Sequence, residues 1–375
     1  MKMSSKFACL RTARLAARYP LRRTYATTSS DFVRIVEVGP RDGLQNEKQS
    51  IPVATKIELV NRLAQTGLRT IEAGSFVSPK WVPQMANSSQ ILEHVLKSPP
   101  TASHPITYQW LLPNVKGLDN FLSIWQGKSA GQTGYPTPPP SPGSDGGSQD
   151  PNSIPSETSS ANPIELSIFT AATESFTQKN TNCSIAESLQ RFEPIMTRAK
   201  EVGLNVRAYI SVALGCPYEG PNVDPHKVAE LAVSLLELGA DEISVADTTG
   251  MGTAPKTAEL LKTLSAAGIE KKDLALHFHD TYGQALVNSL VALEHGIRTF
   301  DSAVAGLGGC PFSPGATGNV ASEDLIHNFH SLGLKTGVDI EKLAEVGQWI
   351  SYEIGRPNES RAGKATIAQI KKRDG

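Results

Sequence analysis

The amino-acid sequence predicts an α/β protein in which eight parallel strands and their following helices close into a (β/α)8 barrel. Eight short apolar runs alternate with amphipathic stretches of helical period. No Gly-x-Gly-x-x-Gly follows the first run, so a doubly wound dinucleotide-binding sheet gains no support. The length of 375 residues would allow two domains, but a barrel of this kind routinely uses about 250 residues as one. The apolar runs cover residues 33–38, 70–73, 106–112, 164–169, 206–214, 242–246, 274–278 and 299–304.

Residues 1–30 precede the first run, and they are basic, with no acid before Asp31. Four of their arginines would share one face of a helix, namely Arg11, Arg14, Arg18 and Arg22. Such a segment is typical of a mitochondrial transit peptide, and residues 23–26 resemble a matrix-protease cleavage site with the cut after Tyr25. The sequence therefore predicts import into the mitochondrial matrix, with a frayed basic terminus as the alternative.

Residues 131–160 break the alternation between the third helix and the fourth strand. They contain 5 Gly, 7 Pro and 7 Ser and no Lys or Arg, a composition that cannot bury enough apolar surface to offset the entropy of ordering. We expect a disordered insertion at the N-terminal face of the barrel, opposite the face that carries chemistry. A surface loop without a role is favoured over a partner-binding motif.

The barrel domain is assigned to residues 31–338, and residues 339–375 are expected to form a C-terminal helical segment and tail. Within that segment, residues 339–354 show the pattern of a further helix packed on the barrel.

The composition excludes several classes of function. Lys and Arg number 36 against 37 Asp and Glu, a net charge of −1, which argues against nucleic-acid binding driven by bulk charge. No apolar stretch reaches the roughly 18 residues that a membrane-spanning helix needs. Four scattered cysteines are too few for a disulfide scaffold or a zinc ribbon. These values predict a soluble, intracellular globular protein without a nucleic-acid or membrane partner.

Candidate functional residues are sought at the carboxyl ends of the strands, because inward-facing side chains converge there in a barrel. His277 and His279 lie two residues apart on the seventh strand, so their side chains point the same way and could chelate one cation. Taken alone, the pair is more often a pair of satisfied core histidines.

The first two strands contribute charged groups. After the first strand, Arg41 offers fixed cationic donors for an oxyanion or a carboxylate, and Asp42 offers a hard anionic oxygen. A turn-capping Asp beside a solvated Arg is the alternative. Glu72 lies in the apolar second strand, followed by Ser75, and a buried carboxylate needs a cationic partner, for which Arg41 is the obvious candidate. A purely structural ion pair is the alternative there.

The eighth strand runs into a glycine-rich loop, residues 306–309, that could close over a substrate. Cys310 follows it and supplies a thiol that could move a proton, and Asn319 offers an amide oxygen. Judged singly, Cys310 could be an inert small hydrophobe and Asn319 an ordinary helix cap. Taken together, Asp42, His277, His279 and Asn319 supply the mixed nitrogen and oxygen ligands that suit Mn²⁺, Mg²⁺ or Zn²⁺.

Five blocks in order along residues 32–336 resemble the 3-hydroxy-3-methylglutaryl-CoA (HMG-CoA) lyases. The wider superfamily shares the Arg-Asp pair and the His-x-His, and it includes isopropylmalate and homocitrate synthases. Gly43-Leu44-Gln45 after Arg41-Asp42 favours a lyase, since synthases tend to have Gly-Glu-Gln there. The matching blocks are residues 36–47, 75–85, 213–220, 277–284 and 304–311.

The resemblance implies a TIM barrel that binds Mg²⁺ or Mn²⁺ through Asp42, His277, His279 and Asn319. It further implies that Arg41 supports the substrate and enolate oxygens, that Glu72 and Asp247 assist, and that Cys310 takes part in proton transfer. We also expect His277 to contribute to catalysis, and Gln45 and Ser75 to contact the substrate.

The reaction implied is cleavage of HMG-CoA to acetyl-CoA and acetoacetate, as in leucine catabolism and ketone-body formation. A homodimer is expected. The chain ends in Lys371-Lys372-Arg373-Asp374-Gly375, so a peroxisomal address is not supported. Two alternatives stay open: a synthase that condenses acetyl-CoA with a keto acid, and a catalytically silent acyl-CoA- or partner-binding barrel.

Overall fold

Eight parallel strands close into a barrel in the computed structural model, which describes residues 31–129, 162–309 and 318–375. Each strand pairs with its neighbours in chain order, and β1 pairs with both β2 and β8, which completes the closure. The predicted (β/α)8 fold is confirmed. The strands are β1 Arg34–Glu37, β2 Thr70–Ser75, β3 Thr107–Leu111, β4 Ile164–Ala171, β5 Asn205–Ser211, β6 Glu242–Asp247, β7 Leu274–Phe278 and β8 Thr299–Ser302.

Helices follow the strands, and several begin at a residue whose side chain caps the backbone N–H groups or end at a glycine. Ser184 and Glu187 form a capping box at the start of one helix. At the start of another helix, the side chain of Asp224 accepts the backbone N–H of His226, and Pro225 occupies the first helical position. Gly239 ends the same helix in the left-handed conformation. The helices are α1 Val53–Ala64, α2 Ser88–Lys97, α3 Val115–Ser129, α4 Glu174–Thr181, α5 Ile185–Glu201, α6 Pro225–Leu238, α7 Ala254–Ala266, α8 Ala285–Glu294, α9 Ser322–Ser331, α10 Ile340–Glu353 and α11 Arg361–Asp374.

The apolar core lies between the barrel sheet and the surrounding helices, as expected for strands covered on both faces. The barrel interior also holds charged residues with no exposed surface, including Glu72 and Arg207. Because isolated buried charges are costly, each of them needs a partner of opposite charge. These ion pairs lie directly beneath the carboxyl ends of the strands, next to the candidate site.

The C-terminal helical segment is present, and it contains two helices instead of the one expected. The prediction over 339–354 is confirmed by α10. The second helix, α11, is capped by Ser360, whose hydroxyl accepts the N–H of Gly363 and donates to Asp324 of α9. A Ser N-cap is a sequence signal, but its use here depends on the carboxylate of α9.

The transit peptide predicted over 1–30 and the insertion predicted over 131–160 both lie outside the described residues, as does Cys310. The insertion falls between the end of α3 and the start of β4. Within the described parts of the chain, none of the helices has the length and apolar character needed to cross a membrane.

Candidate active site

Three of the predicted metal ligands meet at the carboxyl ends of β1 and β7. One ligand atom from each of Asp42, His277 and His279 lies within 4.8 Å of the other two. Residues more than 230 positions apart in sequence are brought together because β1 and β7 flank β8 in the closed barrel. The fourth predicted ligand, Asn319, forms a bridge to the backbone of His279.

Asp42 lies in the turn Gly39–Gly43, where its N–H donates to Val38 O at 2.7 Å. Arg41 Nη1 and Gln45 Nε2 both donate to Asp42 Oδ1 at 2.7 Å. Burial alone would raise the pKa of Asp42, but the positive charge of Arg41, the proximity of His277 and the hydrogen bond from Asn319 lower it. The carboxylate is therefore anionic and able to bind a cation.

The two histidines differ in what holds their rings. His277 Nδ1 lies 3.3 Å from Asp301 Oδ2, and its Nε2 lies 4.0 Å from Asp42 Oδ2. Burial would lower the pKa of His277, but the hydrogen bond and the charge of Asp301 raise it. Burial and the proximity of His277 lower the pKa of His279 to about 3. His279 is therefore neutral and has lone-pair electrons available for a metal.

Asn319 places its amide against Asp42, and glycine permits the approach of the neighbouring loop. Its Nδ2 donates to Asp42 Oδ2 at 2.9 Å and to Leu307 O at 3.0 Å. Gly308 has φ +125°, and a Cβ there would lie 2.6 Å from Asn319 Nδ2. Only glycine fits at this position without moving the amide.

The donor set fits a divalent cation. Among the described residues, Asn319 Oδ1 and His279 Nδ1 are buried and have no hydrogen-bond partner, an arrangement that is costly unless something else binds them. Together with His277 and the anionic Asp42 they form a mixed nitrogen and oxygen set, of the kind that binds a divalent cation and not a thiolate-selective metal.

Arg41 and Glu72 form the expected ion pair beside this set. Arg41 Nε donates to Glu72 Oε2 at 2.7 Å, and its Nη2 lies 2.6 Å from the same oxygen. Burial would lower the pKa of Arg41, but Glu72 and Asp42 raise it, so the guanidinium stays charged. Ser167 and Tyr209 also donate to Glu72, at 2.8 and 3.2 Å. Glu72 is thus fully engaged as a support for Arg41.

Asp247, at the end of β6, is a further buried acid near the site. Gly252 N–H donates to its Oδ2 at 2.9 Å, and its Oδ1 is buried with no partner among the described residues. Burial is the main cause that raises the pKa of Asp247 to about 6. This carboxyl group can therefore change its protonation state close to neutral pH.

Two predicted substrate contacts have partners within the protein. Gln45 donates to Asp42, so it supports that carboxylate directly. Ser75 is buried on β2, and its hydroxyl accepts the N–H of Val77 at 3.3 Å.

Sequence reasoning missed the polar residues that lie beneath the site. Arg207 Nη2 donates to Asp301 Oδ1 at 2.6 Å, and Arg207 Nη1 donates to the Tyr209 hydroxyl at 3.1 Å. Burial would raise the pKa of Asp301, but Arg207 and His277 lower it to about 2. Asp301 and Arg207 each interrupt an apolar strand, which is the same signal that identified Glu72.

Comparisons with known proteins show which proteins this chain is similar to in sequence. A sequence model of the HMGL-like family matches residues 32–132 and 153–350. The 3-hydroxy-3-isohexenylglutaryl-CoA/hydroxy-methylglutaryl-CoA lyase of Pseudomonas aeruginosa is 46% identical over 337 residues, covering 90% of this chain and 98% of that protein. The mitochondrial hydroxymethylglutaryl-CoA lyase of Rattus norvegicus is 46% identical over 334 residues, 89% of each chain. The cytoplasmic 3-hydroxy-3-methylglutaryl-CoA lyase of Danio rerio is 44% identical over 335 residues, 89% of this chain and 87% of that one.

Solved structures give the same result. The crystal structure of hydroxymethylglutaryl-CoA lyase from Pseudomonas aeruginosa matches with a TM-score of 0.76 at 45% identity, covering 91% of this chain and 99% of that one. An HMG-CoA lyase from Acinetobacter baumannii, in complex with coenzyme A and 3-methylmalate, matches with a TM-score of 0.75 at 31% identity, covering 91% and 97%. On these grounds the chain belongs to the HMGL-like family, among its hydroxymethylglutaryl-CoA lyases.

Proposed function

We propose that this protein is a carbon–carbon lyase that cleaves HMG-CoA to acetyl-CoA and acetoacetate. The observation that carries the proposal is the convergence of Asp42, His277 and His279 within 4.8 Å, next to a permanently charged Arg41. Relatives between 42% and 46% identical are named as lyases of this substrate, which disfavours a condensing synthase.

Asp42, His277, His279 and Asn319 Oδ1 would hold a divalent cation, either Mg²⁺ or Mn²⁺. Such an ion, when bound, supplies Lewis acidity that acidifies a hydroxyl group and fixes a chelating substrate. Arg41 and Gln45 keep Asp42 oriented for this role through their two hydrogen bonds to Oδ1.

Arg41 is the group that stabilises the negative charge developing on the substrate during the reaction. Breaking the bond between C2 and C3 leaves its electrons next to the thioester carbonyl, so negative charge develops on the carbonyl oxygen. A guanidinium held rigidly by Glu72 can stabilise that oxygen without reorganising during the reaction. Tyr209, whose ring centroid lies 5.4 Å from the Arg41 guanidinium carbon, supports the same orientation.

Two proton transfers complete the reaction. A base must remove the proton of the C3 hydroxyl, and we assign this role to Asp247, because Asp247 Oδ1 has no partner among the described residues. The carbanion carbon must then be protonated, and we assign that step to Cys310 on the basis of its sequence motif.

The proposal is tested by incubating the purified protein with HMG-CoA, with and without Mg²⁺ or Mn²⁺, and following acetoacetate. We expect acetoacetate only when the cation is present, and no product from acetyl-CoA plus a keto acid. Condensation without cleavage would identify a synthase. The absence of metal-dependent turnover on any acyl-CoA would instead identify a binding protein.

We infer import into the mitochondrial matrix from residues 1–30, although the relatives include both mitochondrial and cytoplasmic proteins. A fluorescent protein fused to residues 1–30 should enter mitochondria, and a diffuse signal would contradict this.

We also propose a homodimer, which light scattering of the purified protein would test.

A further inference from the structure

Directly beneath the proposed metal ligands lies a fully buried carboxylate, Asp301. It stands opposite His277 in the register between β7 and β8, and its Oδ2 lies 3.3 Å from His277 Nδ1. Ser244 Oγ donates to the same oxygen at 2.8 Å, and Arg207 Nη2 donates to Oδ1 at 2.6 Å. Asp301 has no exposed side-chain surface, so it does not contact substrate.

We propose that Asp301 is a positioning residue that fixes the tautomer and ring orientation of His277, so that the Nε2 lone pair of His277 faces the metal site. An ionised carboxylate only accepts hydrogen bonds, so His277 Nδ1 must carry the proton that it shares with Asp301. In the neutral ring the other nitrogen, Nε2, is then unprotonated, and it lies 4.0 Å from Asp42 Oδ2. This inference rests on the proposed ligand role of His277, and it does not depend on which substrate is cleaved.

His279 gives the contrast that distinguishes a specific role from general ring packing. Its Nδ1 is buried and has no hydrogen-bond partner among the described residues. In His277, Nδ1 is engaged by Asp301, whereas Nδ1 of His279 is one of the atoms left without a protein partner among the described residues. Carboxylates in this position commonly raise the metal affinity of a histidine ligand.

Arg207 is also paired with a second acid, Glu242, so the positive charge of Arg207 has a partner besides Asp301. Glu242 Oε1 lies 2.7 Å from Arg207 Nε, whereas Asp301 accepts from Nη2 of the same guanidinium. Asp301 and Glu242 thus share one arginine, but of these two acids it is Asp301 that is hydrogen-bonded to a proposed metal ligand. The pair supplies a matched comparison of two buried acids.

The experiment titrates Mn²⁺ alone into the metal-stripped, full-length protein by calorimetry, in wild type and in the Asp301→Asn and Glu242→Gln variants. In Asp301→Asn, the NH₂ group of the new amide must face one of the groups that donate hydrogen bonds to Asp301 in the wild type. This disturbs the tautomer of His277. We expect Asp301→Asn to weaken Mn²⁺ binding by about 10- to 100-fold. Glu242→Gln should keep the wild-type affinity within about twofold. Equal affinity in Asp301→Asn and wild type, or equal losses in both variants, would overturn the inference.

A spectroscopic readout needs no variant and stands even where Asp301→Asn fails to fold. In metal-free wild type labelled with ¹⁵N-histidine, at about pH 9, where imidazoles are neutral, the ¹⁵N shifts should show His277 protonated at Nδ1. A proton on Nε2 would overturn the inference. Neither measurement uses HMG-CoA, so failure of the lyase reaction would be seen separately.

Discussion

His279 is the residue whose role depends most directly on the proposed metal. Its low pKa keeps the ring neutral, and its Nδ1 has no partner among the described residues. We predict that His279→Ala abolishes Mn²⁺ binding and acetoacetate formation while the barrel stays folded, because side chains at the mouth of a barrel serve chemistry more than core packing. Calorimetry with Mn²⁺ and circular dichroism check the two parts. His295→Ala, at the end of α8, is the control, and metal-dependent turnover by His279→Ala would exclude the ligand role.

Glu37 is a buried acid whose titration should affect stability. Burial raises its pKa from 4.5 to about 7, although hydrogen bonds from Ser322, Val304 and Gly39 oppose the change. Because the folded state holds the proton more tightly than the unfolded state, the free energy of unfolding falls as pH rises from 4.5 to about 7. This one group contributes a slope of at most about 1.4 kcal/mol per pH unit.

We therefore predict that Glu37→Gln flattens the pH dependence of stability in this range. Urea unfolding of wild type and variant at several pH values measures the slope. Glu58→Gln, which changes a carboxylate on the exposed side of α1, is the control. An unchanged slope in Glu37→Gln would show that Glu37 does not hold its proton in the folded protein.

At the scale of single elements, α10 depends on its N-cap. Asp339 accepts the N–H groups of Glu341 and Lys342, at 3.1 and 3.2 Å. We predict that Asp339→Ala lowers the free energy of unfolding by about 1 kcal/mol and leaves kcat unchanged, because the cap lies at the end of a helix outside the barrel. Asp339→Asn retains the acceptor and should restore most of the stability, as measured by urea unfolding. Equal losses in both variants would point to the charge instead of the cap.

At the scale of the whole molecule, residues 131–160 join the end of α3 to the start of β4, and the proposed active site lies at the opposite ends of the strands. We predict that replacing this segment with a short glycine–serine linker changes kcat/KM by less than tenfold, or about 1.4 kcal/mol. Steady-state cleavage of HMG-CoA measures the change. Urea unfolding serves as the control for folding, and a larger loss in a stable variant would show that the segment reaches the site.

The sequence by itself determined the alternation of strands and helices, hence the barrel, and it pointed to Asp42, His277 and His279. Periodicity and strand ends are local properties, so they can be read from neighbouring residues. It did not predict α11, nor that Asp301 lies beneath His277 or that Tyr209 and Ser167 complete the contacts of Glu72. Those partnerships were decided by the tertiary structure, because barrel closure and strand register set which distant side chains meet, and hydrogen bonds depend on positions to within a fraction of an ångström.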